Sequence, residues 1–198
     1  MTVSVAPVTP DRWDDLVSLF GPTGAYSHCW CAYFRVRAKD YSASVSCQPP
    51  QRGRANRELL ERLTRDGAVP GLLAYDDGKP VGWVSVSPRD QFARILVSRT
   101  IEPTNRDETE VWSIVCFWLP APRRRSGIGT TLLAAAVEFA RSGGASVVEG
   151  YPVDTAGERR RGADVYTGTV GMFRSAGFSI APHPASGRPI ARLPMDGR

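Results

Sequence analysis

Lysine, histidine and long apolar runs are all scarce in this chain. Of its 25 basic residues only Lys39 and Lys79 are lysines, and the 198 residues include two histidines. No stretch approaches the roughly 20 consecutive apolar residues that a membrane-spanning helix needs. The opening residues, MTVSVAPVTPDRW, have neither a basic start nor a long apolar core, so they do not read as a secretory leader. A cytoplasmic protein with no membrane partner is therefore expected. Four cysteines in such a chain argue against a disulfide framework. Cys29, Cys31 and Cys47 stand near one another beside His28, but Cys29-Trp30-Cys31 is tighter than the spacing of zinc knuckles. No metal is expected, and the thiols read as small, half-buried hydrophobes.

The charge that is present is arginine, and it is clustered. The net charge of +5 owes much to two triplets, Arg123-Arg124-Arg125 and Arg159-Arg160-Arg161, without which the chain would be close to neutral. Arginine offers a planar fork of donors suited to phosphate and carboxylate. No basic stripe interleaved with aromatics runs through the sequence, so a nucleic-acid partner is not expected.

At 198 residues the chain is long enough for one domain with a real core, and no internal boundary or repeat divides residues 1–198. Residues 3–8 alternate as a short strand. Thr9-Pro10-Asp11 is a helix start, and Trp13, Leu16, Val17 and Phe20 recur at helical spacing. Residues 21–50 form a long structured loop, with a strand expected around Trp30–Val36. Arg52–Asp66 is amphipathic. Leu72–Tyr75 and Val81–Val86 read as a hairpin around Asp76-Asp77-Gly78-Lys79. VWSIVCFWL, residues 111–119, is apolar enough to be a strand buried on both faces. A helix follows to Arg141, then a strand over 145–151. Thr167 is expected to cap a short helix ending near Ala176, before strands at 178–180 and 190–193. Strands and helices interleave, so the fold class is α/β (α+β).

Chemistry concentrates in residues 119–133, where a buried strand runs through a glycine-punctuated turn into a helix. A helix start has unpaired N–H groups and the positive end of the dipole, which together bind phosphate. Gly127 and Gly129 remove side chains where backbone must approach an anion, and Arg124 and Arg125 add charge-assisted donors. A pyrophosphate held by the N–H groups of about Arg125 to Thr130, which include those of Ser126 and Ile128, is the expectation. Neither the dinucleotide fingerprint nor a P-loop is present.

Arg124-x-x-Gly127-x-Gly129, placed after an apolar strand and opening a helix, resembles the acyl-CoA signature of the GNAT superfamily of N-acetyltransferases. Met172-Phe173-Arg174-Ser175-Ala176-Gly177-Phe178 resembles that family's second signature, a short helix ending in Gly-Phe. The resemblance spans most of the chain, with residues 21–50 and 88–108 the least typical. It implies a single domain with a central, mixed, mostly antiparallel sheet of six to seven strands and about four helices on both faces. It also implies a co-substrate, acetyl-CoA, with its pyrophosphate on the turn and its pantetheine arm where strand 111–119 splays from strand 145–151. A backbone N–H near Leu119 would then polarise the thioester, and the amine of a small-molecule acceptor would attack directly.

Two departures stand out. Where family members often carry a tyrosine acid, this chain has Phe173; where they often carry an acidic base, it has Ser113. The substitutes are Glu149 and Asp154 as bases, and Tyr151 and Tyr166 as phenols able to protonate a leaving thiolate. Cys116, mid-strand, reads as a core residue. His28 to Cys31, with Tyr33 and Phe34, would lie on the loop that the resemblance sets over the acceptor pocket. Transfer from a carrier-protein thioester, transfer to a protein amine, and a non-catalytic CoA-binding module remain as alternatives. The sequence does not fix an oligomeric state, and a homodimer is one allowed assembly.

Overall fold

The computed structural model describes residues 3–37, 39–41, 49–103 and 105–195. Cys47 lies outside them. The chain runs β1 (Val3–Pro7), α1 (Trp13–Phe20), α2 (Pro49–Arg65), β2 (Leu72–Asp76), β3 (Lys79–Pro88), β4 (Val111–Trp118), α3 (Ile128–Ser142), β5 (Val147–Gly150), α4 (Val170–Ser175), β6 (Ser179–Pro182) and β7 (Pro189–Pro194), with short 3-10 turns between. The strands make one seven-stranded sheet in the order β1-β2-β3-β4-β5-β7-β6. Every pairing is antiparallel except β4 with β5.

Local chemistry explains the elements. Asp77 and Gly78 both have positive φ (49° and 70°), the pattern of the tight turn that matches strand twist, and they close the β2–β3 hairpin. Ile128, Leu132, Leu133, Ala136, Val137 and Ala140 form the buried stripe of α3. They join Val84, Val86, Ile114 and Phe173 in one core beneath the sheet. The opposite face buries Leu16, Phe20, Trp30 and Leu60 against Trp83, Val115 and Tyr151. Helices thus cover both faces, as an apolar central strand requires.

Two local expectations are corrected. Residues 30–36 are a series of turns rather than a strand, because Trp30 and Cys31 take positive φ (48° and 50°) and the amides bond locally, Ala32 to Cys29 and Arg35 to Ala32. The short helix is capped by Thr169, whose hydroxyl accepts from the Met172 N–H at 3.3 Å. Gly168 turns the chain at φ 86°, which leaves Thr167 upstream and fully buried.

Candidate active site

The sheet opens where the parallel pair of β4 and β5 ends. β4 and β5 pair from Val111/Val147 to Ile114/Gly150. β4 continues past the end of β5 to Trp118, still paired with β3. The resulting wedge is lined from the β5 side by the segment leading to α4. There the Phe117 N–H donates to the Tyr166 carbonyl at 2.6 Å. Amides alternate in direction along a strand, and that alternation carried one residue past the end of β4 would set the Leu119 N–H on the same side as that of Phe117.

Beyond Leu119 the chain makes a short turn, Ala121–Arg123, and enters α3 through Gly127. Gly127 sits at φ 87° with no atom within 4 Å of where a Cβ would stand, so the turn is open above it. Thr131 is the first residue whose N–H closes on the helix, to the Gly127 carbonyl at 3.0 Å. The amides of Arg125 to Thr130 have no backbone acceptor among the described residues. They form the row of donors that the sequence predicts.

The first arginine triplet divides its labour. Arg123 pairs with Asp76 at 2.7 Å. Arg124 turns back, its Nε donating to the Leu119 carbonyl at 3.0 Å and its guanidinium lying 5.9 Å from the Trp118 ring. The backbone of Gly162 packs so closely on Arg124 that a Cβ there would fall 2.6 Å from Cζ. Arg125 is exposed and has no carboxylate partner among the described residues. In the second triplet Arg160 pairs with Glu158 and Arg161 with Asp164.

Glu149 and Tyr151 come together beside the wedge. Glu149, 3% exposed, takes Arg89 and Arg192 on Oε1. Its Oε2 accepts from the Tyr151 hydroxyl at 3.1 Å, and that hydroxyl lies 3.1 Å from Ser113 Oγ. Arg192 also grips Glu108 through both carboxylate oxygens, at 2.6 and 2.7 Å. Burial, and then the Glu149 charge, push the Tyr151 phenol well above its ordinary pKa. A small cavity of about 80 Å³ adjoins this network, lined by Glu149, Tyr151, Arg192, Ile101, Ile190 and His183 among others.

Tyr166 is half-buried by the C-terminal half of β4, and its hydroxyl has no hydrogen-bond partner among the described residues. Burial, then the neighbouring Cys116, raise its pKa to about 12. Tyr26 flanks it at 6.2 Å between ring centroids, stands edge-on to Trp118 at 4.6 Å, and donates to the Gly162 carbonyl at 3.0 Å. Phe173 is fully buried, edge-on to Phe117 and Phe178. Asp154 stands apart: it is exposed, and its Oδ1 accepts from the Ala156 N–H at 2.9 Å, the bond of a turn residue. Sequence reading missed Tyr26, Arg89, Glu108 and Arg192. Each has a partner far away in sequence, from Arg192 with Glu149 at 43 positions to Tyr26 with Gly162 at 136, and no local pattern marks such a residue.

Solved structures of N-acetyltransferases share this architecture. PaiA N-acetyltransferase from Thermoplasma acidophilum, in complex with coenzyme A, aligns over 98% of this chain and 100% of its own, with a TM-score of 0.55 and 13% identity. A GCN5-related N-acetyltransferase from Kribbella flavida aligns over 98% of both chains, with a TM-score of 0.54 and 17% identity. A GNAT family acetyltransferase from Brucella melitensis, in complex with acetyl-CoA, aligns over 99% of this chain and 90% of its own, with a TM-score of 0.52 and 15% identity. At such identities the likeness carries the fold. Among curated protein sequences none matches. Residues 30–160 match the sequence model of the Acetyltransferase (GNAT) family, and the chain belongs to that family. Among the described residues no helix is long and apolar enough to cross a membrane.

Proposed function

We propose that the protein is an acetyl-CoA-dependent N-acyltransferase that acts on the amine of a small molecule by direct attack, with donor and acceptor bound together. The observation that carries this reading is the row of unpaired amides from Arg125 to Thr130, set at the end of a strand that parts from its neighbour. These donors suit a pyrophosphate, and Arg125 is free to add a charge-assisted bond. Acetyl-CoA would supply an acyl group activated as a thioester.

The chain's own groups then have distinct tasks. With the Phe117 N–H held by the Tyr166 carbonyl, the Leu119 N–H at the edge of the wedge is the backbone donor suited to pair with pantetheine or to hold negative charge building on the acyl oxygen. Arg124 holds the Leu119 carbonyl and so fixes the strand end. Tyr166, protonated throughout the neutral range, is the proton donor we favour for the leaving sulfur. Glu149 is the favoured base for the incoming ammonium. Two arginines occupy one of its oxygens, the other accepts from the Tyr151 hydroxyl, and Glu149 and Tyr151 both line the small cavity. A cavity of about 80 Å³ suits a compact amine head group.

Calorimetry with acetyl-CoA, followed by release of free thiol across a panel of small amines, tests the reading. Binding with turnover on at least one amine supports it. Tight binding with no turnover on any amine, peptide N-termini included, would favour a CoA-binding module.

A further inference from the structure

Cys31 and Cys116 lie 85 positions apart in sequence, yet their sulfurs stand 3.2 Å from each other in the core. Their residues are 3% and 4% exposed. That separation is within about 1.2 Å of a covalent S–S bond, so closing one asks little movement of either chain segment. Both ends are held firmly. Cys116 sits on β4 opposite Ser85, one residue before the Phe117 amide of the wedge. Cys31 ends a loop in which Ala25, Ser27, His28, Trp30 and Cys31 all take positive φ. Such a backbone persists only where its surroundings over-determine it, and strain of this kind collects at functional sites. Here the buried Asn56 donates to the His28 carbonyl, and Trp30 packs against Trp13 and Phe20.

The same loop carries Tyr26, which lies against Trp118 and bonds the Gly162 carbonyl beside Arg124. Cys116 in turn is close enough to Tyr26 and Tyr166 to oppose the ionisation of both phenols. The two thiols therefore join the loop to the strand at the foot of the candidate acyl site.

We propose that Cys31 and Cys116 are a redox-active pair whose oxidation to a disulfide fastens the 24–31 loop to β4 and slows turnover. With hydrogen peroxide as oxidant, the Cys31 sulfur attacks the O–O bond, giving a sulfenic acid and one water. The Cys116 sulfur then displaces that hydroxyl, forming the S–S bond, and the hydroxyl leaves with the thiol proton as a second water. Two electrons pass from the thiols to the peroxide, and a dithiol reductant reverses the change. Burial of both thiols makes the reaction slow. The bond would not be a permanent staple: in a reducing compartment such pairs serve as transient sensors. Turnover falls because closing the bond draws Cys31 and Cys116 together by about 1 Å, which shifts Tyr26 on the loop and the adjoining Phe117 amide on β4 away from their reduced positions. The cross-link is independent of the transferase reading, while its effect on turnover rests on that reading.

The test is peroxide treatment of the full chain without reductant, followed by intact mass and a non-reducing peptide map. The expected result is a loss of 2 Da, a Cys31–Cys116 linked peptide in both wild type and Cys29→Ser, and a melting temperature raised by about 5–10 °C. Dithiothreitol should restore the starting mass. Acyl turnover should drop at least fivefold on oxidation and recover on reduction, with no such response in Cys31→Ser. Gain of oxygen without a cross-link, or a link from Cys29 instead, would overturn the pair. The expected cross-link with unchanged turnover would overturn the switch. A cross-linked protein in which even the reduced form turns over no amine would refute the transferase reading and leave the thiol pair standing.

Discussion

Arg124 and Arg125 are neighbours with opposite surroundings, and substitution should separate them. Arg125 is exposed beside the free amides, so Arg125→Ala should weaken CoA binding by about 1–3 kcal/mol, the worth of a charge-assisted bond, with the fold intact. Arg124 bonds the Leu119 carbonyl and packs on Gly162. Arg124→Ala should therefore lower kcat more than it weakens CoA binding, because it loosens the strand end rather than removing a ligand. Calorimetry and steady-state kinetics on the two variants would distinguish these outcomes. Tyr166→Phe deletes one hydroxyl that has no hydrogen-bond partner among the described residues. If that hydroxyl is the proton donor, kcat should fall by about 10²-fold or more while the CoA affinity holds. A loss of less than threefold would point to another acid, with Tyr26, whose ring lies 6.2 Å from that of Tyr166, the next to substitute.

At the scale of elements, α4 offers a paired test of capping. Thr169 caps it, so Thr169→Ala should cost about 1 kcal/mol in denaturant unfolding. Thr167 is fully buried, and its hydroxyl finds no partner among the described residues. Thr167→Val keeps the shape and removes an unsatisfied group, so it should be neutral or stabilising in the same assay. The two threonines also show what sequence can resolve. Either one before a helix satisfies the capping rule, and only the sharp turn at Gly168 decides between them. The long apolar strand and its Gly127-x-Gly129 turn were legible because burial on both faces and a glycine-opened helix leave local marks. The hairpin was legible for the same reason, through Asp77-Gly78. The turns at 30–36 were not, since aromatic and small apolar residues there suit a strand until tertiary packing forces Trp30 and Cys31 to positive φ. Glu149 was legible as a carboxylate among apolar residues, but not its two arginine partners, which come from β7 and from the segment after β3.

Across the whole molecule, buried phenols and thiols tie stability to alkaline pH. Tyr26 and Tyr166 are raised to about 12 and Cys29 to about 11, with Tyr75, Tyr151 and Cys116 raised as well. Burial is the leading cause except at Cys116, where the bond to Cys31 comes first. A group whose pKa is higher when folded releases its proton first from the unfolded chain. The folded state then binds more protons, and stability falls as pH rises. Unfolding free energy should hold below about pH 9 and then decline steadily towards pH 12 as the unfolded thiols and phenols ionise. Urea titrations at pH 8, 10 and 11 would read this directly, and a flat profile would show that these groups are far less buried in solution. The sheet brings two features together: a wedge between β4 and β5, and a row of free amides at its mouth. Their joint purpose is most directly tested by titrating acetyl-CoA into the protein in a calorimeter. One site per chain is predicted, with affinity in the range of about 1 μM to 1 mM typical of enzyme substrates, weakened in Arg125→Ala. No heat of binding at millimolar acetyl-CoA, from a protein shown to be folded, would contradict it.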